Sequence, residues 1–383
     1  MKILQQTDFD FSPELWEVIV SLEASAAGVA MLNTSENSPY HREENVWTHT
    51  EMVIDHYIKN FSSFRPLTHN IIAVCSLLFH DAGKPKAEET VKTSDGQTYR
   101  RYPGHELLSA VIFTEHWLKS ERLRSLLSAE DARRVRWIIE HHLPYGIKDE
   151  AKLSALKRAT LSTLHHCDIF FDCLRSDAAG RTSDNHQEKL ERVKNWISTF
   201  SNIQEDALNT FDEAEGTCYI LIGPSGAGKS TYFRENLQNT VYHSLDVLRL
   251  SFYMNKHGHS SDDVKRLYAD AWNFCNEHKT KFDKYIAEDL RTLMQDADRK
   301  KFGITIDNVN ASKKARARYV QLARQNRMKV VAVEFWCDIE TLMVRQETRP
   351  DKSVGYDAVA RQYYSQTCAR AGSEVDEIVL QTC

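Results

Sequence analysis

The chain has 383 residues, of which 27% are charged and 42% hydrophobic, and its formal net charge is −5. This composition is typical of a globular protein of two or three domains and excludes collagen-like, disulfide-rich and strongly disordered chains. With a net negative charge, any nucleic-acid site has to be a local basic groove. The cysteines form no Cys-x-x-Cys pair, and no apolar run is long enough to span a membrane. We therefore expect reduced thiols, a cytoplasmic location and no membrane contact.

The first part of the sequence predicts a helical domain over residues 1–209. Ser12-Pro13-Glu14 is typical of a helix start. From residue 45 onward, apolar residues recur at three- and four-residue steps, and no convincing strand pattern interrupts them. The helices predicted here are 46–61, 71–79, 107–118, 132–140, 153–173 and 187–200. The pattern therefore predicts an all-α domain.

Residues of metal-ligand type recur through this domain, and 12 of the 16 histidines lie before residue 205. The series, in chain order, is His49, His80-Asp81, His105, His141-His142 and Asp177. Imidazoles and carboxylates suit Zn, Mn, Fe, Co or Ni. A single histidine of this kind is more often structural. The pair His80-Asp81, however, ends the very apolar helix 71–79, and burying charged groups there destabilises the fold unless a partner or a metal compensates them. The series as a whole indicates a metal site.

The order of these residues resembles the HD phosphohydrolase superfamily, H…HD…H…H(H)…D, over about residues 45–185. Leu77-Leu-Phe-His-Asp-Ala-Gly-Lys-Pro85 and Pro103-Gly-His-Glu106 are similar to HD modules that act on RNA ends and nucleotides. The resemblance implies two divalent transition metals that activate water for phosphoester hydrolysis. It implies that Lys84 neutralises the scissile phosphate. The metal ligands that it implies are His49, His80, Asp81 and Asp177 for the first ion, with Asp81 bridging to a second ion held by His105 and His141.

Two of these assignments have competitors in the sequence. His141 and His142 are adjacent, so the choice of His141 stays open. Asp168 and Asp172 compete with Asp177, which we prefer because Arg175-Ser-Asp-Ala-Ala-Gly-Arg181 resembles the final Asp motif of the superfamily.

An acidic, polar junction at residues 200–216 leads into a second domain, predicted over residues 210–383. Its main feature is Gly223-Pro-Ser-Gly-Ala-Gly-Lys-Ser230, which fits the phosphate-binding P-loop G-x-x-x-x-G-K-[ST]. The strand-like run 217–222 precedes it and a helical pattern follows it, as the motif requires. Lys229 is expected to reach the β- and γ-phosphates of ATP and Ser230 to ligate Mg²⁺. The predicted ATP-binding residues are Gly223, Pro224, Ser225, Gly226, Ala227, Gly228, Lys229, Ser230 and Thr231.

Further strand-like segments at 240–246, 302–310 and 330–336 alternate with helical ones, of which 261–299 is the longest. This alternation predicts a P-loop α/β domain with a parallel sheet and a ligand at the carboxyl ends of its strands. Asp307 could support the metal, orient Arg249 or cap a helix. The basic residues that follow it could track a nucleic-acid backbone or form a solvated helix face. These residues are Lys313, Lys314, Arg316 and Arg318.

This part of the chain resembles the 5′-OH polynucleotide kinases of the P-loop phosphotransferase group. The resemblance implies that Asp246 is the general base on the 5′-hydroxyl and that Arg249 grips a substrate phosphate. Arg345 and Arg349 match the lid that covers the ATP phosphates. The alternative roles are a helix cap for Asp246 and a solvated helix face for the arginine pair.

The order of the two domains resembles the HD-Pnk RNA end-healing enzymes over nearly the whole chain. It implies ATP-dependent phosphorylation of 5′-OH ends and removal of a 3′-phosphate or 2′,3′-cyclic phosphate. The implied partners are RNA or DNA ends and a separate RNA ligase, which needs a 3′-OH and a 5′-phosphate.

Two other classes of function stay open in the sequence. One is a nucleoside or nucleotide kinase fused to a nucleotide phosphohydrolase, and the other is a non-catalytic nucleotide sensor. Intact Lys229, Ser230 and Asp246 disfavour the sensor, because a sensor need not keep every catalytic group. Assays that compare a 5′-OH oligonucleotide with free nucleosides separate the two kinases.

Overall fold

The computed structural model of the protein describes residues 3–36, 43–92, 96, 98–165, 167–183, 186–202, 214–257, 264–296, 301–349 and 354–383. Contacts between residues divide the chain into two compact units, Met1–Asp206 and Ala207–Cys383. The predicted boundary between residues 209 and 210 falls outside the described residues, so its position stays a prediction.

The first unit, called the helical unit below, consists mainly of α-helices. Asn45, Ser120, Ser128 and Asp149 each begin a helix by accepting a hydrogen bond from a backbone N–H further along the chain. Short 3₁₀ segments lie at Gln6–Phe9, Ser62–Phe64 and Pro144–Gly146. The α-helices are α1 (Pro13–Ala24), α2 (Ala26–Asn33), α3 (Val46–Asn60), α4 (Leu67–Phe79), α5 (Lys84–Ala87), α6 (His105–Lys119), α7 (Glu121–Leu126), α8 (Ala129–Glu140), α9 (Glu150–Leu164), α10 (Asp168–Ala179) and α11 (His186–Asn202).

Helix α4 lies at the centre of this unit. Its residues from His69 to Phe79 are all buried, as the nearly continuous apolar run in the sequence requires. It packs against α3, α6, α8 and α10. His80 and Asp81 directly follow α4, so they lie where the four surrounding helices can supply further side chains.

The helical unit is not all-α, contrary to the prediction. Strands β1 (Glu89–Lys92) and β2 (Thr98–Arg101) pair antiparallel as a small hairpin. Both strands are half-buried or exposed along their length. They therefore lack the alternation of apolar and polar residues by which a sequence reveals a strand.

The single helix predicted over residues 153–173 is also wrong. Helix α9 ends at Leu164, His165 adopts a left-handed conformation with φ of 65°, and α10 begins at Asp168. Apolar residues continue across this break, so periodicity alone does not reveal it. None of the described helices is by itself long and apolar enough to cross a membrane; the bent pair of α1 and α2 meets that test of length and composition only when taken together.

The second unit is an α/β domain built on a five-stranded parallel sheet, as predicted. The strand order is β4-β5-β3-β6-β7, and every neighbouring pair is parallel. The strands are β3 (Thr217–Ile222), β4 (Val241–Ser244), β5 (Ile304–Asp307), β6 (Lys329–Trp336) and β7 (Glu377–Thr382). The helices are α12 (Lys229–Asn236), α13 (Leu245–His257), α14 (Val264–Glu277), α15 (Lys279–Gln295), α16 (Lys313–Gln325), α17 (Ile339–Thr348) and α18 (Tyr356–Tyr364).

The central strands of this sheet bring the polar ends of the predicted strands together. β5 is buried throughout, and Asp307 at its carboxyl end is paired in register with Leu221 of β3 and Ser244 of β4. The P-loop follows β3 at this edge, and α13 follows β4. β7, which the sequence did not reveal, is a half-exposed strand at the other side of the sheet.

Candidate functional sites

Four helices packed on α4 supply the predicted ligands of the helical unit. His49 lies on α3, His105 begins α6, and Asp177 lies on α10. Gly83 permits this approach, because a Cβ at this position would lie 2.4 Å from the carbonyl oxygen of His105. Side chains far apart in sequence therefore meet beside His80 and Asp81.

These side chains form two groups of three whose nitrogen and oxygen atoms are close enough to hold a metal ion. The first group is His49, His80 and Asp177, and the second is Asp81, His105 and His142. All six side chains are buried. The predicted two-metal arrangement thus has two matching groups of donors, of which the second contains Asp81.

The Asp81 carboxylate lies between the two groups, with one oxygen toward each. Its Oδ2 is 3.2 Å from His80 Nε2 and 3.5 Å from His49 Nε2. Its Oδ1 is 3.1 Å from His105 Nε2 and 3.7 Å from His142 Nε2. This is the orientation that a bridging carboxylate requires.

Backbone carbonyls orient three of the four histidines. Nδ1 of His80 lies 2.6 Å from the carbonyl oxygen of Leu77. Nδ1 of His105 lies 2.7 Å from the carbonyl oxygen of Tyr102, and Nδ1 of His142 lies 2.7 Å from that of Ile139. An Nδ1–H that donates to a carbonyl leaves Nε2 with its lone pair, the form in which imidazole binds a metal. All three Nε2 atoms face the Asp81 carboxylate.

The electrostatics of the cluster favour a bound cation. Burial raises the pKa of the Asp177 carboxyl, but the charge of Arg181 and the contacts with His49 and His80 together outweigh burial and hold that pKa well below its usual range. Burial lowers the pKa of His80, whereas the carboxylates of Asp81 and Asp177 raise it to about 10. Asp177 Oδ2 is buried and has no hydrogen-bond partner among the described residues. Buried anionic oxygens beside imidazole nitrogens suit a divalent transition metal.

His142 occupies the place that the sequence analysis gave to His141. The His141 ring stacks on Trp137, with 3.9 Å between ring centroids, and its Nδ1 lies 2.9 Å from the Trp137 carbonyl oxygen. His142 Nε2 lies 3.3 Å from His105 Nε2. The two histidines follow the last turn of α8, where the direction of each side chain depends on the exact backbone path.

The structure places Asp177, and not its two competitors, in the cluster. Asp177 Oδ1 is 3.3 Å from His49 Nε2. Asp172 accepts a hydrogen bond of 2.8 Å from Arg65, and the exposed Asp168 lies 3.3 Å from the same guanidinium. Neither carboxylate belongs to the two groups that could hold a metal ion.

Charged residues that surround the cluster pair with its carboxylates and histidines, and several of these contacts were not predicted. Lys84 is buried, its Nζ lies 2.8 Å from Asp81 Oδ2, and it also donates to Glu36. Burial opposes its charge, but these two carboxylates raise the pKa of Lys84 above its ordinary value. Arg181 holds Asp177, and Glu43 lies 3.7 Å from His49 Nδ1. Glu36 and Glu43 precede the helical pattern, so no local signal in the sequence reveals them.

The P-loop of the second unit forms the predicted turn between β3 and α12. Gly226 and Gly228 adopt φ angles of 90° and 92°, which favour glycine. Lys229 begins α12, and its ammonium donates to the carbonyls of Gly223 and Pro224 at 2.8 Å each. The backbone N–H groups of this helix start form an anion-binding site.

Asp307 at the end of β5 lies directly beside Ser230. Its Oδ2 accepts a hydrogen bond of 2.7 Å from the Ser230 hydroxyl and one of 2.5 Å from Tyr242. A hydroxyl and a carboxylate beside a P-loop are the ligands that hold Mg²⁺ in P-loop enzymes. Of the three roles considered for Asp307, this contact favours support of the metal.

Asp246 lies on the first turn of α13 and Arg249 on the second, and both line the same cleft as the P-loop. Arg249 donates to Asp246 Oδ1 at 2.8 Å. The N–H of Leu245 at the helix start donates instead to the Asn308 side chain, at 2.9 Å. Asn308 therefore caps this helix, which leaves the Asp246 carboxylate toward the cleft.

Arg345 on α17 and Arg349, which directly follows this helix, both contact the P-loop. Arg345 donates to the carbonyl of Gly226 and Arg349 to the hydroxyl of Ser225, each at 3.1 Å. Both side chains line the cleft, as a lid over phosphates requires.

Residues 219–369 match a family model described as an AAA domain. The match begins in β3, includes the P-loop, and ends before β7. Together with the parallel sheet and the P-loop geometry, this match identifies the type of domain in the second unit. The second unit contains a P-loop kinase-like domain. No curated protein matches the chain.

Two residues of the kinase-like domain contact the P-loop in a way that the sequence did not predict. Gln362 accepts a hydrogen bond of 2.9 Å from the backbone N–H of Ser225, and the Cys383 thiol donates to the carbonyl of Ala227 at 3.2 Å. Both come from chain segments remote from the P-loop, so motif spacing does not reveal them.

The basic residues after β5 divide between two roles. Arg316 is fully buried and paired with Glu374 at 2.7 Å, so it is structural and not available to a nucleic acid. Lys314 and Arg318 line the cleft.

Proposed function

We propose that the protein heals broken RNA ends. The kinase-like domain transfers the γ-phosphoryl group of ATP to a polynucleotide 5′-OH, and the helical unit removes a 3′-phosphate or a 2′,3′-cyclic phosphate. The observation that carries this proposal is that Asp246 and Arg249 open into the same cleft as the P-loop. A carboxylate and an arginine at that place suit an alcohol that carries a phosphate on its far side.

The kinase reaction uses Asp246 as the general base. Its carboxylate accepts the proton of the 5′-hydroxyl, the hydroxyl oxygen forms a bond to the γ-phosphorus, and the bond from that phosphorus to the β-bridging oxygen breaks to release ADP. Lys229, Arg345 and Arg349 contribute positive charge around the transferring group. Ser230 and Asp307 would hold Mg²⁺, which when bound neutralises the β- and γ-phosphate oxygens.

The basic lining of the cleft favours a polynucleotide over a free nucleoside. The cavity has a volume of about 2040 Å³, which has to hold both ATP and the acceptor. Lys265, Lys314 and Arg318 line it in addition to the residues around the phosphates. Basic side chains along an open cleft suit the backbone of a strand of several nucleotides.

The helical unit acts as the HD-type phosphohydrolase in this proposal. His49, His80 and Asp177 would hold one divalent transition metal, and His105 and His142 the other, with Asp81 between them. When bound, such a pair supplies Lewis acidity and a water of lowered pKa. Lys84 contributes positive charge beside Asp81, and Arg181 holds Asp177 in place.

The two activities convert the two ends of one break. A break with a 2′,3′-cyclic phosphate and a 5′-OH becomes one with a 3′-OH and a 5′-phosphate. These are the ends that a ligase joins, so we propose that a separate RNA ligase acts after this protein.

The test uses an RNA oligonucleotide with a 5′-OH and a 2′,3′-cyclic phosphate, incubated with ATP and each of several divalent metals. Mass spectrometry of the product is expected to show a 5′-phosphate and a 3′-OH. A free nucleoside is offered in parallel as acceptor. Phosphorylation of the nucleoside in preference to the oligonucleotide would contradict the proposal in favour of a small-molecule kinase. If neither acceptor reacts while ATP still binds, the kinase proposal fails.

A further inference from the structure

Trp272 differs from the other tryptophans of the protein in its exposure. Five of the seven are buried, Trp16 is half-buried, and Trp272 is 51% exposed. Trp272 lies on α14 and lines the cleft that contains the P-loop and Asp246. An exposed aromatic ring in a cleft is the kind of surface on which nucleic-acid bases stack.

The packing of α14 does not require an indole at this position. The buried residues of the helix are Leu267, Ala271 and Cys275, which are spaced four apart and form its inner face. Helix α14 packs against α13, which carries Asp246 and Arg249. Trp272 follows Ala271 at the edge of this inner face and points into the cleft.

The indole is directly connected to the proposed acceptor site. The guanidinium carbon of Arg249 lies 4.3 Å from the centroid of the Trp272 ring, within the range of a cation–π contact. The same guanidinium donates to Asp246 at 2.8 Å. A nucleotide whose phosphate is bound by Arg249 and whose 5′-oxygen is at Asp246 therefore has its base in the region of the Trp272 ring.

We propose that Trp272 is the stacking platform for the base of the 5′-terminal nucleotide of the acceptor strand. This inference rests on the proposed kinase function and adds the group that holds the terminal nucleoside. Every base has a π-face, so stacking on an indole tolerates all four bases. The site therefore accepts 5′-OH ends of any sequence, as the repair of random breaks requires, and disfavours an acceptor that lacks its terminal base.

The test compares Trp272→Ala and Trp272→Phe with the unmodified full chain on two acceptors. One is a 5′-OH oligonucleotide, and the other is the same strand with an abasic 5′-terminal nucleotide. For the normal acceptor, Trp272→Ala is expected to raise KM roughly tenfold to hundredfold, the range for loss of one base–aromatic stack. Trp272→Phe is expected to recover most of this loss, and the KM for ATP is expected to stay unchanged in both variants.

The abasic acceptor separates stacking from the support of Arg249. If the indole stacks on the base, the unmodified protein binds the abasic strand about as weakly as Trp272→Ala binds the normal strand. The two losses then do not add, and Trp272→Ala changes the KM for the abasic strand by no more than roughly twofold. A merely structural role would weaken both acceptors equally.

Phe302→Ala is the matched control. Phe302 is 66% exposed and is not among the described residues that line the cleft. Its truncation is expected to leave both KM values unchanged.

Each other outcome overturns the inference. If Trp272→Ala raises the KM of both acceptors equally, or leaves the KM of the normal acceptor unchanged, Trp272 is not the stacking platform. The kinase proposal stays intact in both cases. If the unmodified protein phosphorylates neither strand, the kinase proposal fails and the platform fails with it.

Discussion

In the helical unit, the clustered histidines and aspartates come from helices spread over most of its length and are all buried. In the P-loop kinase-like domain, most phosphate-binding groups come from one short loop and the helix start behind it, and they face an open cleft. The first arrangement is buried and depends on long-range packing around α4. The second depends on local backbone geometry and lies in an open cleft. Loss of one side chain should therefore have different consequences in the two units.

The largest effect is expected for Asp81→Ala. This change removes the carboxylate that lies between the two donor groups and leaves Lys84 and four histidines without their shared counter-charge. We expect loss of bound transition metal and of 3′-end hydrolysis to the detection limit, because the change removes both carboxylate oxygens that face the histidines. Elemental analysis measures the metal. Unchanged metal content in a protein that stays folded would contradict the assignment.

Asp246→Asn should have the next largest effect, and only on the kinase. The amide keeps the shape of the side chain but cannot accept the proton, so the single-turnover rate of phosphorylation is expected to fall roughly 10²–10⁴-fold. ATP binding is expected to change little, since the P-loop and Lys229 are intact. A near-normal rate would rule out the base role, and a large loss of ATP binding would point to a metal or structural role.

A matched pair of variants tests the choice between the two adjacent histidines. His142→Ala removes a donor from the second group of the cluster, whereas His141→Ala removes a ring that stacks on Trp137. We expect His142→Ala to lower metal affinity and 3′-end hydrolysis by at least roughly 10–100-fold, the cost of losing even an outer partner of a metal site. Hydrolysis by His141→Ala should stay close to normal. The reverse result would restore the assignment made from the sequence.

The smallest effect in this set is expected for Arg249→Lys. Lysine keeps the positive charge but loses the planar fork, so it cannot bind Asp246 and a phosphate oxygen in the same way. We expect the KM of the oligonucleotide to rise by about tenfold, the value of one hydrogen-bonding contact to a charged group. The rate at saturating acceptor should fall much less than the KM rises. If the rate falls as much as the KM rises, Arg249 stabilises the transition state and does not only bind the acceptor.

The sequence predicted the local features of the kinase-like domain well, because each depends on neighbouring residues. β3, the P-loop and the start of α12 are consecutive, so the motif and its strand–loop–helix context can be seen in one short segment. The half-exposed β7 and the contacts of Gln362 and Cys383 with the P-loop depend on the path of the distant chain. No local pattern contains that information.

For the helical unit, the sequence identified the helices that contribute to the cluster better than it identified the individual side chains. The resemblance to the HD superfamily, carried by the order of His49, His80-Asp81, His105 and Asp177, implied that those residues lie together, and the structure brings them together. The choice between His141 and His142 depends on how the chain leaves α8, and the structure brings His142, not the preferred His141, to the cluster. The hairpin of β1 and β2 and the break at His165 were missed because neither changes the pattern of apolar residues clearly.

The most direct test of two independent sites in one chain is a reciprocal experiment on one substrate. The RNA with a 5′-OH and a 2′,3′-cyclic phosphate is incubated with ATP and metal and with the unmodified protein, Lys229→Ala or Asp81→Ala, and both ends of each product are analysed. Lys229→Ala is expected to yield a 3′-OH with the 5′-OH retained, and Asp81→Ala a 5′-phosphate with the cyclic phosphate retained. Loss of both activities in either variant, in a protein that circular dichroism shows to be folded, would contradict the presence of two separate sites.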